Sequence, residues 1–114
     1  MKNRLIVLLM ILGSCTVRSV DNEKSKYEVI QVEKDFAQMA KDKGIAVAFY
    51  EFADDSAVIR RGPRIFKGKE AIRIFYNGQK QSGELQWSPD FAYASGDLGY
   101  TYGQFIYSEK DSTG

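Results

Sequence analysis

The residues that could carry chemistry in this chain are carboxylates, tyrosines and lysines. The 114-residue sequence contains no histidine and a single cysteine, Cys15. Without histidine, histidine-based catalytic triads and the common histidine zinc sites are excluded. If Cys15 carries lipid, no thiol is left for a disulfide, a nucleophile or a metal. Gly68-Lys69 lacks the upstream glycines of a phosphate loop, so we expect neither a metal nor a nucleotide cofactor.

The catalytic candidates are Asp97, Tyr100 and Tyr102. Asp97 follows Gly96 at the head of a long predicted strand, where it could take a proton or bind a ligand. Tyr100 and Tyr102 share one face of that strand and could donate their hydroxyls to a ligand. Each has a structural alternative, because turn aspartates accept backbone hydrogen bonds and alternate tyrosines commonly pack in a core or an interface.

The opposite face of the same strand carries small side chains. Because Gly99, Thr101 and Gly103 carry little or no side chain, this face stays low as far as Phe105 and Tyr107, where large rings begin. A low patch on a strand makes room for another group. Either a packed helix or a ligand cavity could occupy it, and Thr101 is the candidate ligand contact there.

Other residues could contribute to binding. Trp87 and Tyr50 could form a pocket wall, with core packing as the alternative. Asp54-Asp55 resembles a carboxylate pair, but adjacent residues point in different directions and acids at helix ends are commonly structural. Arg60-Arg61 and Arg64 flank a Gly-Pro turn and could hold an anion, or could form a solvated hairpin tip.

The first residues have the form of a bacterial lipoprotein signal. Lys2 and Arg4 precede the apolar run 5–12, which is too short to span a bilayer, since a spanning helix needs about 20 residues. Leu12-Gly13-Ser14-Cys15 fits the lipobox at all four positions, with small residues where the signal peptidase needs them. We therefore expect Cys15 to be lipidated and to hold the protein on a membrane. The alternative is an incidental cysteine beside an ordinary cleavable signal.

The predicted organisation is a signal peptide at 1–14, a lipidated cysteine with a flexible tether at 15–26, and one small domain at 27–114. Thr16 stands where many lipoproteins carry an aspartate for inner-membrane retention. We therefore expect anchoring to the cell envelope at the outer membrane, facing the periplasm. Without the two basic residues of the signal, acidic residues exceed basic ones by one, which gives no indication of nucleic-acid binding.

Hydrophobic spacing predicts three helices. The first has capping-box form at Ser25 and ends at Gly44. The second runs from Ile45 to Phe52, and the third from Gly68 to Asn77. Their expected apolar sides are Val29, Val32, Phe36, Met39 and Ala40, then Ile45, Ala48, Phe49 and Phe52, then Ala71, Ile72, Phe75 and Tyr76.

Four strands are also predicted. Two short ones, 57–61 and 64–67, flank the Gly62-Pro63 turn. In the next strand Leu85, Trp87, Phe91 and Tyr93 share odd parity, and Pro89 marks an edge position or a bulge. The last runs from Leu98 to Tyr107. Residues 108–114 have the composition of a hairpin loop without a return strand, which predicts a domain truncated at its C-terminus.

Five segments, in order along the chain, carry a resemblance to a known family. They are Glu33-Lys34-Asp35-Phe36, Phe52-Ala53-Asp54-Asp55-Ser56-Ala57-Val58, Phe66-Lys67-Gly68-Lys69-Glu70-Ala71-Ile72, Leu85-Gln86-Trp87-Ser88-Pro89 and Gly96-Asp97-Leu98-Gly99-Tyr100-Thr101-Tyr102-Gly103. They resemble the nuclear transport factor 2-like superfamily, and within it the SnoaL-like group of secreted domains. The similarity extends from Glu33 to Gly114.

The resemblance implies an α+β fold in which N-terminal helices pack on a strongly bent antiparallel sheet, as a cone with a pocket at its open end. Members usually end with two further long strands, which this chain lacks, and commonly form a homodimer through the sheet. Ketosteroid isomerases and polyketide cyclases, which resemble this fold, use an Asp base with Tyr or acidic donors, or an Asp with His. The absence of histidine excludes the second version.

Two functions from different classes therefore remain open. The first is a non-catalytic, lipid-anchored domain that binds a small, mainly apolar ligand or a protein partner in the pocket, since one cone hosts many activities. The second is an isomerase, cyclase or hydrolase with Asp97 as base and Tyr100 or Tyr102 as donor. A carboxylate and a Tyr hydroxyl converging inside an apolar cavity would favour the enzyme. A third hypothesis is that the shortened chain does not fold alone, which a cooperative thermal transition would exclude.

Overall fold

Helices and antiparallel hairpins alternate along this α+β protein. The computed structural model describes residues 15–79 and 83–109, with side chains from Asp21 onward. Its elements are α1 (Cys15–Lys43), α2 (Ile45–Phe52), β1 (Val58–Arg61), β2 (Arg64–Lys67), α3 (Lys69–Asn77), β3 (Gly83–Ser95) and β4 (Leu98–Glu109). Within these ranges β1 pairs with β2 and β3 with β4, so the strands form two separate two-stranded antiparallel sheets. The predicted α+β class is confirmed.

The predicted signal peptide and the side chain of Cys15 lie outside the described residues. None of the helices in the described part of the chain is long and apolar enough to cross a membrane.

α1 begins at Cys15 rather than at Ser25, so the segment 15–26, expected to be a flexible tether, is helical. Neither glycine nor proline occurs from Cys15 to Lys43, so no residue in this stretch breaks the helix. Polar side chains four residues apart add further support along its exposed surface. These pairs are Lys24–Glu28, Gln31–Asp35 and Gln38–Asp42.

One face of α1 packs on the β3–β4 hairpin through Val29 and Phe36, and Ala40, farther along that face, is buried as well. Val32, expected on the same face, is 54% exposed, because the packed face runs through Val29, Glu33, Phe36 and Ala40 and leaves Val32 to one side. Gly44 ends the helix as predicted. Its φ of 93° is a conformation that only glycine adopts readily, and it turns the chain directly into α2.

The turn after α2 is built around Asp54. Its carboxylate accepts hydrogen bonds from the Ser56 backbone N–H at 3.0 Å and from the Ser56 hydroxyl at 2.6 Å. The hydroxyl bond chiefly, with help from the backbone bond, lowers the pKa of Asp54. This confirms the structural interpretation of Asp54 as an acid at a helix end.

The β3–β4 hairpin contains a bulge. Pro89 pairs with Gly103 and Phe91 pairs with Tyr102, so Asp90 is an extra residue on β3. Of the two alternatives predicted at Pro89, an edge position or a bulge, the structure shows the bulge. A bulge of this kind bends the strand and increases its twist.

The bulge exchanges the two faces of β3. Before it, the odd-numbered Trp87 faces the helices, whereas beyond it the even-numbered Ala92 and Ala94 do so, at 4% and 6% exposure. The shared odd-numbered face predicted from the sequence is therefore wrong beyond Pro89. Phe91 and Tyr93 instead lie on the opposite side, 41% and 46% exposed.

We call the side of the hairpin toward the helices the inner face and the other side the outer face. The inner face comprises Leu85, Trp87, Pro89, Ala92, Ala94, Gly99, Thr101, Gly103, Phe105 and Tyr107, and the outer face includes Phe91, Tyr93, Tyr100, Tyr102 and Ile106.

The core lies where α2 and α3 meet. Ile72 is completely buried and packs with Ile45 and Tyr76, as the predicted apolar sides of the two helices required. Phe49 and Leu85 cover this cluster. The core thus extends toward the inner face of the hairpin.

Candidate ligand-binding site

A cleft of about 540 Å³ opens between the helices and the inner face of the hairpin. This volume lies within the range of small-molecule pockets in proteins. One side of the cleft comes from α1, α2, β1 and α3, and the other from β3 and β4. Its main side chains are Glu33, Phe36, Phe49, Arg61, Tyr76, Trp87, Thr101 and Phe105.

Aromatic rings form much of the cleft wall, and Phe36 joins them. Its ring meets Phe49 edge to face, with centroids 4.9 Å apart, and meets Trp87 in the same manner at 4.9 Å. Phe52 stacks on Phe36 at 5.2 Å from outside the cleft. Edge-to-face and offset contacts are the favoured arrangements of aromatic pairs, so these rings hold one another in place.

Glu33 and Trp87 link α1 to the sheet across the wall of the cleft. The indole N–H of Trp87 donates to the Glu33 carboxylate at 2.6 Å, in a partly buried setting. An indole has one donor and no acceptor, so this bond satisfies it completely. The bond fixes the ring of Trp87 along the cleft.

Arg61 lies at the end of the cleft formed by β1. Its guanidinium carbon is 5.4 Å from the ring centre of Phe49 and 5.5 Å from that of Tyr76. Its Nη2 also donates a short hydrogen bond to the hydroxyl oxygen of Tyr76. Two aromatic faces and one hydroxyl therefore position this cation.

Tyr76 is the buried member of this group, with 6% of its surface exposed. Burial raises the pKa of its hydroxyl above the ordinary 10.0, and the neighbouring charge of Arg61 opposes this only in part. Tyr76 therefore stays protonated at neutral pH, because burial penalises the charged phenolate.

Two of the three predicted ligand contacts line the cleft. Trp87 and Thr101 both face it from the sheet. Tyr50 does not line it, because it lies on another side of α2, where the Lys69 ammonium sits 4.4 Å from its ring centre.

The three predicted catalytic residues do not converge in the cleft. Asp97 is exposed in the two-residue turn between β3 and β4. Tyr102 borders the cleft, but its ring stacks on Phe91 across the outer face, and the ring of Tyr100 lies on that face as well. Alternation along β4 accounts for this, since Thr101 faces inward and its neighbours must face outward.

The low patch on β4 is covered by α1 at Gly99 and by the backbone of β3 at Gly103, and it is open at Thr101. At Gly99, an added Cβ would lie 2.7 Å from a methyl group of Val29, so α1 covers this position as the packed-helix alternative predicted. At Gly103, an added Cβ would collide with the Ser88 carbonyl oxygen and lie 3.0 Å from the Asp90 nitrogen. Thr101, between the two glycines, faces the open cleft.

Sequence reasoning missed two polar residues of the site, Glu33 and Tyr76, the second of which it places only on the apolar side of a helix. For Arg61 it leaves two alternatives, an anion ligand or part of a solvated hairpin tip, and the structure places Arg61 at the cleft. Trp87 and its partner Glu33 are 54 residues apart, so no local pattern links them. The one available signal was an arginine, Arg61, at the end of a short strand, followed by a helix that carries Tyr76, whose ring is apolar and whose hydroxyl is polar.

No group of three or more potential metal ligands occurs among the residues that the structure describes. Comparison of the chain with protein-family models, with curated proteins and with solved structures gives no match in any of the three. The resemblance to the nuclear transport factor 2-like superfamily therefore stays a prediction.

Proposed function

We propose that this protein binds a small, mainly apolar molecule in the cleft, as a lipid-anchored protein of the cell envelope. The observation that carries the binding proposal is the cleft itself, with Phe36, Phe49, Trp87 and Phe105 along its walls. Small-molecule sites are typically concave, largely apolar and equipped with a few oriented polar groups. Glu33 and Arg61 supply such groups here.

Binding is favoured over catalysis by the polar contacts in the cleft. Glu33 accepts its hydrogen bond from Trp87, and the Tyr76 hydroxyl accepts from Arg61. The Glu33 carboxylate and the Tyr76 hydroxyl are not hydrogen-bonded to each other. The exposed position of Asp97 argues against its use as a base in an apolar pocket.

We further propose that the helices and the bent hairpin belong to the cone of the nuclear transport factor 2-like superfamily. The order of the elements, the low inner face of β4 and the bulge at Asp90 support this. A homodimer formed through the sheet stays a prediction, and sedimentation velocity at several protein concentrations would measure it.

The binding proposal is tested with a neutral apolar fluorophore, N-phenyl-1-naphthylamine, whose emission rises in apolar surroundings. Trp87 is the only tryptophan, so its emission reports independently on the cleft. We expect saturable binding with a parallel change in Trp87 emission. Absence of saturable binding to the folded protein would contradict the proposal.

A matched pair of variants locates the site. Phe105 and Ile106 are adjacent on β4 and similarly exposed, at 70% and 68%, but only Phe105 lines the cleft. Phe105→Ala should weaken binding of the fluorophore several-fold, because it removes a wall of the cleft. Ile106→Ala should leave binding unchanged. Equal effects of the two substitutions would place the fluorophore elsewhere.

The anchor is tested separately in bacteria. We expect the natural chain to incorporate labelled palmitate and to fractionate with the outer membrane of a two-membrane host. Cys15→Ser should abolish the label, because the thiol is the only acceptor for diacylglycerol. Labelling of the variant, or recovery of the natural protein in the inner membrane alone, would overturn the corresponding part of the proposal.

A further inference from the structure

The charge of Arg61 faces the cleft without a carboxylate partner among the described residues. The ion pairs there are Lys24–Glu28 and Arg73–Glu70. Glu33, the acidic residue lining the cleft, accepts its hydrogen bond from Trp87 instead. An apolar ligand entering the cleft would remove water from this cation, which is costly unless the ligand supplies a negative charge.

Tyr76 adds a second donor beside Arg61. Its oxygen accepts the hydrogen bond from Nη2, and a hydroxyl can accept and donate at the same time. Because burial raises the pKa of Tyr76, the proton remains on the oxygen at neutral pH. No acceptor for that proton occurs among the hydrogen bonds of the described residues, so it is available to a ligand.

Arg61 also keeps donors of its own. One Nη1 proton is directed to the carbonyl of Arg60, at 3.0 Å, and Nη2 bonds Tyr76. A guanidinium has five N–H donors, so others remain for an oxyanion. The guanidinium lies against the paired rings of Phe49 and Tyr76, whose centroids are 4.5 Å apart, and these contacts reduce the entropy lost when it binds an anion.

We propose that the ligand is an amphipathic monoanion, with one carboxylate bound by Arg61 and Tyr76 and an apolar body against Phe36, Phe49 and Trp87. This assignment rests on the proposed ligand-binding function and specifies the chemistry of its ligand. The contacts combine charge-assisted hydrogen bonds at one end of the cleft with aromatic surface along the rest. A free carboxylic acid and a lipid-derived acid share this chemistry.

The test compares three probes of equal chain length, decanoate, decanol and decylammonium, added to the full chain below their micellar concentrations. Binding is followed by Trp87 emission and by calorimetry. We expect decanoate to bind about tenfold more tightly than decanol, since charge-assisted hydrogen bonds are the stronger class. Decylammonium should bind more weakly than either.

Arg60 provides the matched control, because it neighbours Arg61 on β1 but points to the other side and donates to the Gly62 carbonyl at 3.0 Å. Arg61→Gln should remove the preference, so that decanoate binds no more tightly than decanol to this variant. Arg60→Gln should change neither. Tyr76→Phe keeps the ring and should reduce the preference in part, and thermal unfolding of each variant confirms that it is folded.

The outcomes separate the two proposals. If none of the probes binds, the proposed ligand-binding function fails. If decanol binds as tightly as decanoate, or if Arg61→Gln weakens both equally, the cleft binds apolar molecules but the anionic head is refuted. A decanoate preference that Arg60→Gln abolishes as fully as Arg61→Gln does would also refute it, because the effect would then reflect net charge alone.

Discussion

Both faces of the β3–β4 hairpin carry aromatic residues, yet the cleft opens along the inner face. On the outer face the rings occupy one another, with Phe91 stacked on Tyr102 at 5.0 Å and Tyr93 against Tyr100 at 5.5 Å. On the inner face small residues separate the aromatic ones, and the helices supply a second wall. Aromatic content therefore does not identify a binding face. A binding face is identified instead by the space beside its rings and by a second wall opposite them.

The largest effect is expected at Gly103, whose added Cβ would meet backbone that cannot move aside. Gly103→Ala should destabilise the fold by about 3 kcal/mol, at the upper end of the usual range for overpacking. Gly99→Ala meets the end of the Val29 side chain, which can shift, so we expect about 1 kcal/mol. Urea unfolding measures both. Equal losses would mean that the bulge at Asp90 does not depend on Gly103.

The exchange of faces at the bulge is tested by introducing leucine at one inner position and at one outer position. Ala92→Leu should cost about 2 kcal/mol of unfolding free energy, because Ala92 is buried on the inner face, with 4% of its surface exposed. Tyr93→Leu, one position along, should cost less than about 1 kcal/mol, since that side chain is 46% exposed. Thermal unfolding of the pair would show the reverse order if odd-numbered residues faced the helices along the whole strand.

The bond from Trp87 to Glu33 ties the inner face to α1. Glu33→Ala should lower the unfolding free energy by about 1 kcal/mol, because it leaves the indole N–H without its acceptor. Glu33→Gln keeps an acceptor oxygen and should lose less. Chemical unfolding followed by Trp87 emission measures both variants, and identical losses would indicate that the side-chain volume matters rather than the bond.

The smallest effect concerns pH and Tyr76. Burial raises its pKa above 10.0, so the folded protein holds this proton more tightly than the unfolded chain does. The resulting stability is present in full below pH 10 and is lost as the pH rises through the raised pKa. Tyr76→Phe has no such proton, so its unfolding free energy should fall less on the alkaline side. Parallel alkaline profiles of the two proteins would contradict this account.

Local periodicity was sufficient to predict most of the elements. α2, α3 and the first hairpin follow from apolar spacing and from glycines at the turns, which are properties of neighbouring residues. The bulge at Pro89 could be predicted for the same reason. Its effect on the faces could not, because parity beyond a bulge depends on where the extra residue lies, and here that residue is Asp90.

The site was less accessible to sequence reasoning than the fold. Trp87 and Thr101 were found because a lone tryptophan and a low strand face are visible in the sequence. Arg61 and Tyr76 are 15 residues apart on a strand and a helix, and their contact arises only when α3 packs beside the first hairpin. Asp97 was favoured because it heads a strand, but a two-residue hairpin turn exposes such a residue.

The continuity of α1 sets the distance between the cleft and the proposed anchor at Cys15. Glu33 is 18 positions beyond Cys15, which corresponds to about 27 Å along a helix axis. If Cys15 is lipidated as proposed, this helix acts as a rigid spacer rather than a flexible linker. It keeps the anchor and the cleft at a constant separation. A protein held in this way would collect its ligand at a fixed distance from its own lipid.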